Sequence, residues 1–325
     1  MMRSLYSGVS GLRSHQTRMD VIGANIANVN TVGFKGSRVT FRDVLYQSIR
    51  NAGMSSEEPL RGGINPTQIG LGVMITSIDV LNTRAGPQTT DKPTDIYVDG
   101  EGYFAVFNPG DGNIYYTRVG DFSFDPRGNL VDGNGNFVIG YAGGEYMVPF
   151  SEFDIPDENM FVEGSVMDED GEYSDFMADL EEAGDGGGII NIGGEDSLYT
   201  RGLVQQISIG PDGMITGVVK EDPEDEEGEQ WVLGQILLFK FPNNDGMNQV
   251  GNTYLLPTAN SGYPAAVLPG TNGTGATIAS RLEMSNVELA REFTDMIITQ
   301  RGFQANSRII TVSDEMLQEL VNLKR

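Results

Sequence analysis

A chain of 325 residues with 39% hydrophobic content is long enough to bury cores in two or three domains. Its net charge of −25 argues against nucleic acid or an anionic membrane as partner. The absence of cysteine excludes disulfides, thiolate metal sites and cysteine nucleophiles.

The start, Met1-Met2-Arg3-Ser4-Leu5, lacks the apolar core of a cleavable signal peptide. No run approaches the ~20 apolar residues of a spanning helix, so membrane insertion is not expected. Leu5, Leu12, Met19 and Ile26 then fall on an unbroken seven-residue spacing, with Val9, Ile22 and Val29 three or four residues away. That spacing predicts an amphipathic helix with coiled-coil character. The helix should stop near Asn28-Val29-Asn30-Thr31-Val32-Gly33, where Asn and Gly tolerate left-handed backbone.

The middle reads as β-rich. The 43 glycines favour tight turns. Strand patterns occupy 73–82, 95–100, 103–107 and 114–118, and Phe122, Phe124, Leu130 and 137–139 continue them. Turn pairs recur at Asp111, Asp132, Asn134, Asp212 and Asp245, each followed by Gly. Strand patterns return at 206–209 and 231–241.

Between these runs the charge is concentrated. Residues 151–230 hold 24 Asp and Glu against Arg201 and Lys220. Within 151–200 there are 16 acidic residues and no Lys or Arg, yet Phe153, Ile155, Phe161, Val166, Tyr173, Phe176 and Leu180 supply apolar content for a small inserted domain. Gly184 to Gly188 reads as a flexible link, and Glu221 to Glu229 as a solvated loop.

The C-terminal stretch repeats the seven-residue rhythm at Leu282, Leu289, Met296, Phe303, Ile310 and Leu317, with Phe293, Ile297, Leu320 and Val321 widening the stripe. Ser285-Asn286-Val287-Glu288 reads as a capping box, and Lys324 and Arg325 suit the negative end of the helix dipole. Gly23 and Gly302, inside the two helices, fit either close helix approach or tolerated drift.

Catalytic chemistry finds no residue set. His15 is the sole histidine and belongs to the first helix, so a Ser-His-Asp site is nearly excluded. Asp132-Gly133-Asn134-Gly135-Asn136 imitates half of an EF-hand loop, but Phe137 stands where glycine is required. Asp168 to Glu172 could at most hold Ca²⁺ weakly. No catalytic residue, cofactor or metal is expected.

The expected architecture is multidomain. Long terminal α-helices (1–33 and 285–325) pair as a coiled coil. A β-rich middle domain (34–148 and 203–284) follows, carrying an acidic inserted domain (149–202). The expected assembly interface comprises Leu5, Leu12, Met19, Ile26, Leu282, Leu289, Phe293, Met296, Phe303, Ile310 and Leu317. The chain reads as a structural subunit that associates with copies of itself.

Several segments carry a family likeness. Ser4–Leu12, Asp20–Lys35, Val98–Phe104, Tyr116–Phe122, Leu282–Leu289, Gln300–Asn306 and Met316–Leu323 closely resemble the bacterial flagellar rod and hook family. Asn65–Gly72, Phe293–Ile297 and Val321–Arg325 look more like its hook branch than its distal-rod branch. The resemblance implies export by the flagellar type III apparatus and an extracellular place in the hook or basal body. It implies a helical homopolymer with the terminal helices lining a channel, the β-domain as middle layer and the acidic insertion outside. Its implied partners are rod, hook-cap and hook–filament junction proteins.

Overall fold

The computed structural model describes residues 2–54, 62–142, 187–190, 204–219 and 229–323. These group into two compact units, each taken by itself below.

Unit 1 comprises residues 1–30, 35–81 and 287–325. It contains helix α1 (Met2–Ala27), strands β1 (Ser37–Asp43), β2 (Tyr46–Arg50), β3 (Thr67–Gly70) and β4 (Val73–Val80), and helix α2 (Leu289–Leu323). α1 ends just before the Asn and Gly run, where its repeating apolar positions give way to residues that favour turns. β1 and β4 form an antiparallel ladder from Ser37↔Val80 to Asp43↔Val73, and β2 pairs separately with β3. Asn25 staples α1 to this ladder: its Nδ2 donates to the Ser37 carbonyl at 2.8 Å, and its Oδ1 accepts from the Ser37 amide at 3.0 Å. Both polar ends of a buried side chain are thereby satisfied. This is why residues 35–81 group with the helices, whereas the sequence patterns alone take 34–148 as one stretch.

α2 begins later than its capping-box sequence suggests. The Asn286 amide still donates to the Phe34 carbonyl at 3.4 Å, and its side chain donates to Thr83 Oγ1 at 3.0 Å. The helix therefore opens at Leu289, with the Glu292 amide bonded to the Glu288 carbonyl. Lys324 and Arg325 lie outside the described residues.

Unit 2 comprises residues 31–34 and 82–286. Its strands are β5 (Pro87–Thr89), β6 (Ile96–Asp99), β7 (Phe104–Asn108), β8 (Asn113–Thr117), β9 (Phe122–Phe124), β10 (Leu130–Asp132), β11 (Phe137–Ala142), β12 (Gly187–Ile189), β13 (Val204–Ile209), β14 (Met214–Val219), β15 (Glu229–Ile236), β16 (Leu238–Lys240), β17 (Asn248–Gly251), β18 (Tyr254–Leu256), β19 (Ala265–Val267), β20 (Ala276–Ala279) and β21 (Arg281–Glu283). The largest sheet runs β13-β14-β15-β11-β7-β8-β18-β17.

Alternation along β7 shows where the cores sit. Phe104 and Val106 join one cluster with Ile96, Phe122, Leu130 and Leu233, whereas Ala105 joins another with Tyr116, Ile139 and Phe239. Successive side chains point to opposite faces, so this strand is buried on both. Tyr116 meets the Phe241 ring edge-on at 4.8 Å between centroids, an arrangement that aromatic quadrupoles favour.

The β7–β8 connection contains Asp111-Gly112, and the β13–β14 connection contains Asp212-Gly213. Gly112 (φ 68°) and Gly213 (φ 76°) take the left-handed conformation at these turns. In the loop after β10, Asp132 uses its carboxylate internally. Its Oδ1 accepts from the Asn134 and Asn136 amides at 2.8 and 2.9 Å, and its Oδ2 accepts from the Tyr254 hydroxyl. The half EF-hand pattern is thus a turn tied to β18.

One expectation changes here. Gly187 and Gly188 are not part of a free link: they pair with Tyr141 and Gly140 of β11, because a ladder needs backbone groups and no side chain. Ile189 continues the ladder opposite Ile139 and Ile190 is buried in the core, while the remainder of the acidic insertion, including Asp168 to Glu172, lies outside the described residues, as does most of the 221–229 run.

Arg118 is the polar hub of unit 2. Its guanidinium donates to the Gly100 and Gly102 carbonyls, pairs with Glu283 at 3.1 Å and sits 5.7 Å from the Tyr103 ring centroid. Glu283 Oε1 also accepts from the Ala85 amide at 3.1 Å. The two side chains are 9% and 1% exposed, so both charges depend on this pairing.

Candidate assembly site

The candidate site is the apolar surface of unit 1. In α1, Leu5, Leu12, Met19 and Ile26 are half-buried, and Ile22 is buried. In α2, Met296, Phe303, Ile310 and Leu317 are also half-buried, and they share a helix face with buried Thr299 and Ser313. That face meets α1. A Cβ placed on Gly8 would lie 3.4 Å from Ile310, one on Gly11 would fall 2.6 Å from Asn306, and one on Gly302 would fall 2.8 Å from the His15 ring. Pairing residues 8 with 310, 11 with 306 and 15 with 302 makes the two helices antiparallel. Arg18 Nη2 bridges them to Asp295 Oδ1 at 3.0 Å.

His15 packs at this crossing against Gly302. Its ring centroid lies 5.9 Å from that of Phe41, and its Nδ1 is buried with no hydrogen-bond partner among the described residues. Burial first, and the Arg18 cation second, lower its pKa below the ordinary value of 6.5. Gly302 therefore has the close-approach role its position suggests. Gly23 does not: no atom would lie within 4 Å of an added Cβ.

Leu282 must be removed from the helical seam. It lies in β21 opposite Gln88, because the backbone of this segment is engaged in a ladder with β5. Leu289 and Phe293 do lie on α2, at 40% and 50% exposure, on a flank of the helix that leaves them uncovered.

The sequence reading missed most of the larger uncovered surface, naming only Leu320 of it. Ile309, Val312, Met316, Leu320 and Leu323 recur at three- and four-residue intervals and are all exposed. They form a second apolar face of α2, which a seven-residue count anchored on Met296 passes over. The β2–β3 hairpin is the other uncovered feature. Leu45, Tyr46, Ile49 and Ile69 are exposed, and Met54 is 94% exposed. A two-stranded hairpin with no further cover is marginal in water. The signal that could have found it is the apolar density of 44–49, read against the absence of a third paired strand.

No described helix is long and apolar enough to cross a membrane. Among the described residues, no three His, Cys, Asp or Glu side chains cluster as metal ligands.

These helices and sheets fall where known families match. A flagella basal body rod protein model covers residues 5–35, a model of the D1 domain of flagellar hook protein FlgE/F/G covers 97–217, and a model of the FlgEFG C-terminal region covers 278–323. The flagellar basal-body rod protein FlgG of Bacillus subtilis is 41% identical across the whole of both chains. The chain belongs to the flagellar rod and hook family. Both branches of that family are represented among its relatives. The flagellar hook protein FlgE of Borreliella burgdorferi is 31% identical, and that of Treponema pallidum 29%, again across all of both chains. Those alignments extend over 451 and 473 positions, so the hook relatives carry long segments that this chain lacks. Membership of the rod and hook family makes this a structural protein of the flagellum and not an enzyme.

Proposed function

We propose that the chain is the flagellar hook subunit, a protein that polymerises through unit 1 into a helical tube joining rod to filament. The observation that carries polymerisation is the uncovered apolar surface of that unit. Contiguous exposed apolar patches mark interaction sites, and a repeated contact between copies builds an open filament instead of a closed ring. Leu289 and Phe293 would meet neighbouring copies, together with the second face of α2 and the β2–β3 hairpin. Leu5, Leu12, Met19, Ile26, Met296, Phe303, Ile310 and Leu317 would hold α1 against α2 as a coiled coil.

The choice of hook rests on Asn65–Gly72, Phe293–Ile297 and Val321–Arg325, whose hook-like sequences all belong to unit 1. Charge distribution supports it further. Unit 1 has 13 basic and 11 acidic residues, and unit 2 has 8 and 35. A nearly neutral unit can stack on copies of itself. A strongly acidic one resists adhesion, over about 8 Å at physiological salt. That combination suits a joint whose outer parts must slide as it bends. In this reading the terminal helices line the channel, the β-rich residues form the middle layer, and the acidic residues 149–202 form an outer domain. Export through the flagellar type III apparatus and contact with rod, hook-cap and junction proteins follow from the same place in the flagellum.

A second reading, the distal rod subunit, is favoured by the FlgG relative at 41% identity. Electron microscopy of basal bodies from a strain lacking this gene separates the two. Complete rods without hooks are expected; rods truncated at their distal end would overturn the hook reading in favour of the rod.

A further inference from the structure

Unit 2 carries an unassigned cleft of about 330 Å³ at the junction of two short ladders, β6 with β20 and β5 with β21. Arg84, Pro87, Tyr97, Asp99, Ile278 and Arg281 line it. Its charge is unbalanced. Arg84 Nη1 is bound to Asp99 Oδ1 at 2.7 Å, which accounts for one cation and the carboxylate. Tyr97 already donates its hydroxyl to the Ala85 carbonyl at 3.2 Å. Arg281 is half-buried and has no ion-pair partner among the described residues. Its position is fixed by backbone. Ser280, at φ 58°, turns the chain sharply from β20 into β21, and its carbonyl accepts from the Thr90 amide at 2.8 Å.

A half-buried guanidinium without a counter-ion sits in an unfavourable state that a carboxylate relieves. Tyr97, Ile278 and Pro87 would shield such a pair from water and strengthen it. We propose that this cleft receives an Asp or Glu side chain from a second copy of the chain, forming a carboxylate–guanidinium contact with Arg281 between unit 2 surfaces in the polymer. Charge complementarity selects the occupant: unit 2 holds 35 acidic residues against 8 basic ones, so carboxylates far outnumber cations among the groups an approaching copy can offer. The cleft converts one point of a repulsive surface into a registered attraction. The inference rests on the polymer reading above and adds a specific intersubunit contact to it.

The test uses full-length chain. The Arg281→Lys variant, grown in equal parts in normal and ¹⁵N medium, is mixed, polymerised and treated with a carbodiimide, which joins amines to touching carboxylates. Mass spectrometry should find position 281 joined to an Asp or Glu peptide of the other isotope. Arg281→Glu should raise the critical concentration for polymerisation about tenfold, with the thermal midpoint of the monomer unchanged. Polymers in which position 281 joins only Asp99 of its own copy, or nothing, would overturn the contact and leave the polymer intact. So would Arg281→Glu polymers forming at the wild-type concentration. Wild-type monomer that binds inorganic phosphate through Arg281 while Arg281→Glu polymerises normally would make this a small-anion site and overturn the intersubunit assignment. A wild-type chain that never polymerises would overturn both this contact and the polymer reading.

Discussion

Arg118 and His15 represent two ways of placing a charge-bearing group in a packed protein. Arg118 carries a guanidinium that is compensated by Glu283 and two carbonyls. Arg118→Ala would leave the Glu283 carboxylate buried without its countercharge, so a loss of about 3–5 kcal/mol in unit 2 stability is expected from denaturant midpoints. His15 is uncompensated instead. Its folded pKa lies below 6.5, so between the two values the unfolded chain binds the extra proton. The stability it contributes is fully present above pH 6.5 and is lost as pH falls towards the folded pKa. Thermal melts of α1–α2 pairing should weaken across that window, and His15→Gln should flatten the dependence. Tyr254 behaves in the opposite sense at high pH. Burial first, and the bond to Asp132 second, push it up to about 12, so its contribution is complete below pH 10 and declines between 10 and 12. Little of this was visible beforehand, because the partners are distant in sequence: Asp132 and Tyr254 are 122 residues apart.

At the scale of elements, the two terminal helices were legible because apolar residues recur at helical period, β4 because its apolar residues alternate, and β6, β7 and β8 because Asp-Gly pairs mark their turns. Three features were less legible. Ser285 to Glu288 has a good capping sequence but is overridden by tertiary bonds from Asn286. Leu282 keeps the seven-residue spacing by coincidence and belongs to a strand. The second face of α2 was hidden because the count followed Met296, Phe303, Ile310 and Leu317, the residues that meet the helix's own partner. The two helix glycines give a paired prediction. Gly302→Val should disrupt the α1–α2 crossing, since even a Cβ would lie 2.8 Å from His15. Gly23→Ala should stabilise α1 by up to about 1 kcal/mol through helix propensity, with nothing in its way. Circular dichroism melts of the two variants compare them directly.

For the molecule as a whole, the proposed polymer has its assembly governed by the separation of charge between the units. The excess of acidic residues in unit 2 makes polymerisation repulsive at long range, and the apolar surface of unit 1 opposes that repulsion at contact. Raising ionic strength from about 0.05 to 0.5 M shortens the screening length several-fold, so the critical concentration should fall with salt. A critical concentration that rises with salt would mean that ion pairs, not apolar contacts, hold the tube together. The most direct measurement of the central claim introduces charge on the uncovered face of α2 without touching the α1 seam. Val312 and Met316 are 50% and 42% exposed, so Val312→Asp with Met316→Asp should leave the monomer's thermal melt close to wild type. Electron microscopy of that variant under conditions where wild-type chain forms tubes should show none. Tubes of normal length and diameter would contradict assembly through unit 1.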